Sequence, residues 1–422
     1  MKLWKRALAG LTAAAMAGVL AACSPAQAEP ETTVIDRLTG MPEDTVLFTV
    51  DGSPVTAGDY CYWLAMSCDN VSYYLYAGGT PVWTDEISDG TNAADYVKSD
   101  AMQVAKLYRV LANKATELGC VLTEEDEAEL DETWNAYITS AGETEWNTAV
   151  SQGTVDPDAM SDAEKTAWIQ EQGAESFAKQ LQALAVTEAG VRENDGITLL
   201  YNTTLREALF GEGGPNAITD EDMAAWLAEN GIYRVKHILI STVDDAGNQM
   251  DEAAREEARQ RAQGLLDQLN ASDDPAALFD QLMQENSEDV GGLLYYPDGY
   301  TFDSTSSLVD GFAEASLALA EGEISGLVET DYGYHIILRL PGDTEETRTS
   351  YENEIYNSLM TQWMDEAQVE ETEEYAALDP AAFFDSLIAL REELYPAEDT
   401  PAETQPAESA PAESAPAESP AA

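Results

Sequence analysis

The sequence predicts an α+β unit at residues 232–341, ordered β-α-α-β-α-β-β and inserted into a mainly α-helical frame built from both ends of the chain. Three observations predict it. Helical patterning dominates up to residue 230, and the pattern then switches to alternation at Tyr233-Arg234-Val235-Lys236-His237-Ile238-Leu239-Ile240. After the unit, Tyr351, Ile355, Leu359 and Trp363 recur every four residues on a long helix whose apolar stripe needs a partner, and the N-terminal helices are the nearest one. At 422 residues with 44% hydrophobic content, the chain is long enough for two domains with real cores plus tails.

In chain order, Lys2, Lys5 and Arg6 precede an apolar run from Ala7 to Ala22 that ends at Cys23, the pattern of a secretion signal over 1–22. The run is too short for a good permanent span. Its small residues before Cys23 resemble the lipobox of bacterial lipoproteins, which makes Cys23 the lipidated mature N-terminus. A plain signal cleaved after Ala26 or Ala28 is the alternative. Residues 23–43 read as a polar tether.

The helical N-terminal region at 44–230 begins with the strand Val46–Val50 and the turn Asp51-Gly52, after which Thr56 caps a helix through Tyr60, Trp63 and Leu64. Helices follow over Asp100–Leu118, over Glu124–Tyr137 with Thr123 and Asp126 as capping partners, through 160–190 and 198–210, and from Thr219 to Asn230. Within the α+β unit, 233–240 is a strand, Glu252–Leu269 and Pro275–Glu285 are helices, and Asp274 with Pro275 opens the second. Leu293–Tyr296, Leu327–Thr330 and Tyr334–Leu340 read as strands and Phe312–Ala320 as a short helix. Residues 345–397 form helices that pack back on the N-terminal region. Residues 398–422 are a Pro/Ala/Glu/Ser tail that cannot bury apolar area.

The formal charge of −60 repels nucleic acid and anionic headgroups, so it excludes those partners without selecting a function. Besides Cys23 there are Cys61, Cys68 and Cys120, without metal-site spacing. Cys61 and Cys68 on one helix lie roughly 10 Å apart, too far for a mutual disulfide. Each reads as a small buried residue, with a bridge from one of them to Cys120 left open.

The two histidines carry the chemistry. His237-Ile238-Leu239-Ile240 and His335-Ile336-Ile337-Leu338 are two strands with almost identical neighbours, of a kind that can lie side by side in one sheet. Ser287-Glu288-Asp289 with Gly291-Gly292, Phe312-Ala313-Glu314-Ala315, and the run from Gly322-Glu323-Ile324-Ser325-Gly326-Leu327-Val328-Glu329-Thr330 through Gly333-Tyr334-His335-Ile336-Ile337 complete the pattern. With these residues the unit resembles the parvulins, the peptidyl-prolyl isomerase (rotamase, PpiC) family that includes PrsA-type and SurA-type foldases. Around it, Val50-Asp51-Gly52 to Thr56, 115–125 and Ile218–Asp222 look like the chaperone frame of those foldases.

The resemblance implies a parvulin domain in a helical, chaperone-like frame, with His237 and His335 as a buried hydrogen-bonded pair. It also implies Asp289 at the family's Cys/Asp position, Thr330 completing the polar network, and Leu308 with Phe312 as the floor for the proline ring. The implied activity is cis/trans isomerisation of X-Pro bonds in unfolded secreted proteins, outside the bacterial cell membrane and tethered to it by lipid. A non-haem iron triad of the two histidines and the aspartate is set aside, because apolar alternation buries the rings against the sheet; no metal or cofactor is expected. An inactive parvulin-fold binding chaperone is the rival reading, and a scaffold lipoprotein a third. The loop from Ser241 to Glu252 has no positive charge, which excludes phosphate-directed recognition. The sequence departs from the family at Gly291-Gly292-Leu293-Leu294-Tyr295, where Gly-Gly-Asp-Leu-Gly is common, at Val309 and at a bulky Tyr332, so an altered pocket rim is expected.

Overall fold

The computed structural model describes residues 32–396 apart from 245 and 304; the signal segment, Cys23 and the tail at 398–422 lie outside the described residues. Helix α1 (Val34–Thr39) leads into the hairpin β1 (Val46–Val50) and β2 (Ser53–Thr56), whose turn residues Asp51 and Gly52 take the positive φ of 52° and 80° that a tight hairpin requires. Helix α2 (Ala57–Tyr76), a small hairpin of β3 (Glu86–Ser88) and β4 (Thr91–Asn92), and helices α3 (Ala93–Glu117), α4 (Glu124–Ser151), α5 (Asp162–Ala183), α6 (Glu188–Asn202), α7 (Thr204–Phe210) and α8 (Asp220–Glu229) follow. Five of these helices, α1, α2, α4, α5 and α8, start at a Thr or Ser whose hydroxyl accepts the N–H three residues on, while the acid at that position accepts the cap's own N–H. α3 and α4 extend beyond the ranges expected from sequence, to 25 and 28 residues.

The α+β unit comprises β5 (Tyr233–Ser241), α9 (Glu252–Ala271), α10 (Pro275–Asn286), α11 (Val290–Tyr295), β6 (Tyr300–Phe302), α12 (Asp310–Ala318), β7 (Val328–Thr330) and β8 (Gly333–Leu340). Its antiparallel sheet has the order β6-β5-β8-β7. Alternation splits each central strand between two cores. Ile238, Ile240, Ile336 and Leu338 pack on Leu265, Leu266, Phe279 and Leu282 of α9 and α10, whereas Tyr233, Val235 and Ile337 pack with Phe312 of α12.

One expected element is corrected. Leu293–Tyr296 is not a strand, because Asp289 caps 290–295 into α11 by accepting the Gly292 N–H, and the edge strand is β6, a few residues on. The uncharged run Val290–Tyr296 has no period that separates helix from strand. Leu308 lies ahead of α12, which begins at Asp310 with Val309 as its cap.

The chain closes with α13 (Glu345–Glu366), β9 (Val369–Glu371), α14 (Glu373–Ala377) and α15 (Pro380–Leu394). β9 adds to the first hairpin, pairing Val369 with Val50 and Glu371 with Phe48, so strands from both ends of the described chain share one sheet. One apolar cluster joins Phe48, Tyr60 and Leu64 to Tyr356, Phe383, Phe384 and Leu387. Arg391 clamps Asp69 through two hydrogen bonds of 2.6 and 2.7 Å, and Tyr356 donates its O–H to the Tyr201 carbonyl at 2.9 Å. Cys61, Cys68 and Cys120 are buried free thiols within this cluster. Among the described residues no helix is long and apolar enough to cross a membrane.

Candidate active site

Register places the two histidines. On β5 and β8, His237 faces Ile337 and Leu239 faces His335, so the histidines are diagonal neighbours on the same sheet face. Their rings lie 18° from parallel with centroids 5.2 Å apart, and the two Nδ1 atoms are 3.0 Å apart. Asp289 reaches them from the α10–α11 connection, which is stitched to β5: the Leu239 N–H donates to Ser287 Oγ at 3.1 Å and the Glu288 N–H to the Leu239 carbonyl at 2.8 Å.

With both imidazoles neutral, one proton arrangement satisfies every partner. The Asp289 carboxylate accepts from the Gly292 N–H at 2.9 Å, from the Tyr300 O–H, and from His237 Nε2–H at 2.8 Å. An ionised carboxylate only accepts, so His237 carries its proton on Nε2 and offers Nδ1 as an acceptor. His335 Nδ1–H therefore donates to His237, and its Nε2 accepts the Thr330 O–H at 2.9 Å. The Tyr332 N–H donates to Thr330 Oγ1 at 3.2 Å and closes the line. Tautomers are thus assigned from the network as a whole.

The environment favours a neutral His335 and a charged Asp289 carboxylate. Hydrogen bonding from His237 holds the Asp289 carboxyl well below the usual carboxylate range, against the opposing effect of burial. Burial, then repulsion from His237, lowers His335 to about 3. Burial and the adjacent carboxylate raise the Tyr300 phenol, which keeps it a donor.

This has a consequence for stability. The folded state holds His335 neutral while the unfolded chain protonates it near its ordinary 6.5, so its contribution is intact above that pH and is lost as pH falls toward about 3. Asp289 acts in the same direction at lower pH, since its stabilisation is present above the unfolded carboxylate range and lost below it. The stability of the wild type measured by urea unfolding should therefore fall by roughly 1 kcal/mol per pH unit at most between about pH 6 and 4 on account of His335 alone. His335→Gln should flatten that part of the slope; equal slopes in both proteins would contradict a buried neutral His335.

Phe312 forms the apolar wall of the site, with its ring centroid 5.1 Å from His237 and 5.2 Å from His335, both edge to face. Leu308 packs half-buried in the same cluster. Of the residues singled out from sequence, His237, Asp289, His335 and Thr330 thus fall in one hydrogen-bonded line beside Phe312 and Leu308, and Cys23 lies outside the described residues. Sequence reading missed Tyr300, which donates to Asp289, sits edge-on to His237 at 5.5 Å and stacks on Phe302 at 5.6 Å. The available signal was the alternating Tyr300-Thr301-Phe302 after the Asp298-Gly299 turn.

A protein-family model described as a PPIC-type PPIASE domain matches residues 227–339, the segment that holds the whole network. Residues 227–339 are a parvulin-type domain. The chain is 28% identical to the foldase protein PrsA of Clostridium botulinum (strain Loch Maree / Type A3) over 169 residues, which cover 38% of this chain and 43% of that protein. It is 30% identical to the chaperone SurA of Nitrosospira multiformis over 118 residues, or 28% of this chain and 24% of that one. The aligned parts span less than half the length of these curated relatives. A crystal structure of PrsA from Bacillus subtilis matches 83% of this chain and 93% of its own at 17% identity, with a TM-score of 0.20, too low to support an argument about overall arrangement. The matched segment thus contains the two-histidine site.

Proposed function

We propose that this chain is an extracytoplasmic foldase whose parvulin domain isomerises unphosphorylated X-Pro bonds in unfolded secreted proteins, while the helical frame holds those clients. The observation that carries the proposal is the line Asp289–His237–His335–Thr330 laid against Phe312 and Leu308. Isomerisation needs no nucleophile. Twisting an amide costs about 18–20 kcal/mol because resonance is lost, and an uncatalysed X-Pro bond takes tens of seconds. A site accelerates it by seating the ring, excluding water from the amide, and offering hydrogen bonds that favour the twisted form over the planar one.

In this reading Phe312 and Leu308 seat the proline ring. The polar line presents imidazole groups of set tautomer at the amide, with Asp289 and Thr330 anchoring its ends. Exposed Tyr73, Tyr74 and Leu75 at the end of α2, with Val82 in the connection after it, supply apolar surface to the frame, in keeping with client holding. The lipid at Cys23 would keep the protein at the membrane. As in the reading from sequence, residues 44–230 and 345–397 make up the frame and 232–341 the isomerase domain.

The test is the cis-to-trans rate of a short unphosphorylated Ala-Pro peptide with the purified chain, next to its effect on aggregation of an unfolded client. Acceleration is the expected result. Suppressed aggregation without any change in the proline rate would instead identify a binding chaperone that uses an inactive parvulin fold.

A further inference from the structure

Helix α11 is anchored on one side and bare on the other. Leu293 packs on the core beneath the sheet and Asp289 caps the N-terminal turn, yet Val290, Leu294 and Tyr295 are 73%, 66% and 72% exposed and Tyr296 is 50% exposed. Single exposed apolar residues need no explanation, but four within seven consecutive positions do. Residues 290–297 also contain no charged side chain, in a chain with 80 acidic residues and a net charge of −60.

The strip is continuous with the site. The Tyr296 ring lies 5.0 Å from that of Tyr300, which donates to Asp289. Past the other end of the hydrogen-bonded line, Tyr332 is 50% exposed and its N–H holds Thr330. An extended chain crossing the histidine pair would therefore meet aromatic surface beyond Asp289 and again beyond Thr330.

We propose that α11 and Tyr296 form a docking strip for apolar side chains that flank the isomerised proline, making the parvulin domain selective for X-Pro bonds within hydrophobic segments. This rests on the isomerase reading above. The occupant follows from chemistry: a leucine or aromatic side chain buries area against Leu294, Tyr295 and Tyr296, whereas a glutamate finds nearby only Lys236, already paired with Asp280 at 2.8 Å, and is repelled by the acidic chain as a whole. Such segments belong in cores and are exposed only while a client is unfolded.

The experiment compares Ala-Pro peptides flanked by leucines with the same peptides flanked by glutamates, using the whole chain and a Leu294→Ser/Tyr295→Ser variant. The wild type should favour the leucine peptide by about tenfold in kcat/KM, the scale of one buried leucine side chain, and the variant should bring the ratio toward one. Equal use of both peptides by the wild type, or an unchanged ratio in the variant, overturns the strip. If the wild type accelerates neither peptide, the isomerase reading alone fails, and fluorescence anisotropy of the two labelled peptides decides: tighter binding of the leucine peptide that the variant loses supports the strip, and equal binding overturns it. A dimer seen by sedimentation and dissolved by the double substitution would assign the face to a second copy, which also overturns it.

Discussion

Asp289→Ala is expected to slow X-Pro isomerisation by the chain about 100-fold, the scale on which removing one preorganised polar contact costs an enzyme site. The carboxylate accepts three hydrogen bonds, from Gly292, Tyr300 and His237, and its contact with Nε2–H obliges His237 to present Nδ1 as an acceptor. Without it, nothing selects between the two neutral tautomers of His237, and the direction of the bond to His335 is no longer determined. The Phe312 wall stays in place, so binding should fall less than turnover. Imidazole nitrogen shifts of the folded variant provide a separate readout: a mixture of tautomers in place of one is expected. A folded Asp289→Ala chain that keeps the wild-type rate would remove Asp289 from the proposed site.

Gly292→Ala should reproduce part of that loss without removing a titratable group. A methyl at 292 would overlap the Tyr300 hydroxyl and the Asp289 carboxylate, so the carboxylate has to move off the histidine line.

The second large effect is expected far from the histidines. Phe48→Ala should lower the stability of the helical frame by about 3–5 kcal/mol, the range for truncating a fully buried phenylalanine. Phe48 is completely buried, and its ring meets Tyr60 from the N-terminal half at 6.0 Å and Tyr375 from the C-terminal half at 5.7 Å, both edge to face. It also sits in β1 opposite Glu371 of β9, so the cavity opens where the two ends of the described chain meet. The cores of the parvulin domain include neither Phe48 nor its ring partners. Urea unfolding followed by tryptophan fluorescence, alongside the Ala-Pro rate, should show the frame melting early while the isomerase persists. Simultaneous loss of both would mean that frame and domain unfold as one cooperative unit.

Much of the site was legible because it is built on strands. Alternation through Tyr233, Val235 and His237 determined which face His237 takes, and the matching run after His335 marked the neighbouring strand. The capped helices were legible for a similarly local reason: a hydroxyl and an acid three positions apart bind each other's backbone N–H groups wherever they occur, as at Thr56 and Asp59 or Thr219 and Asp222. Helix α11 and Tyr300 were not legible in this way. Residues 290–296 are apolar or glycine throughout, and their conformation follows from the Asp289 carboxylate capturing the Gly292 N–H. Tyr300 reaches the same carboxylate only because the edge strand β6 pairs with β5, placing Tyr300 opposite Val235.

By itself, the sequence determined what depends on near neighbours along the chain: the helix starts, the strand faces, the two histidine strands and the switch from helical to alternating pattern at residue 233. Tertiary structure decided what depends on groups far apart in sequence. It set the 3.0 Å contact between histidines 98 positions apart, the return of β9 to β1, and the exposure of the apolar strip on α11. Periodicity reports which face of an element is apolar. What meets that face, and whether anything does, depends on how the elements pack.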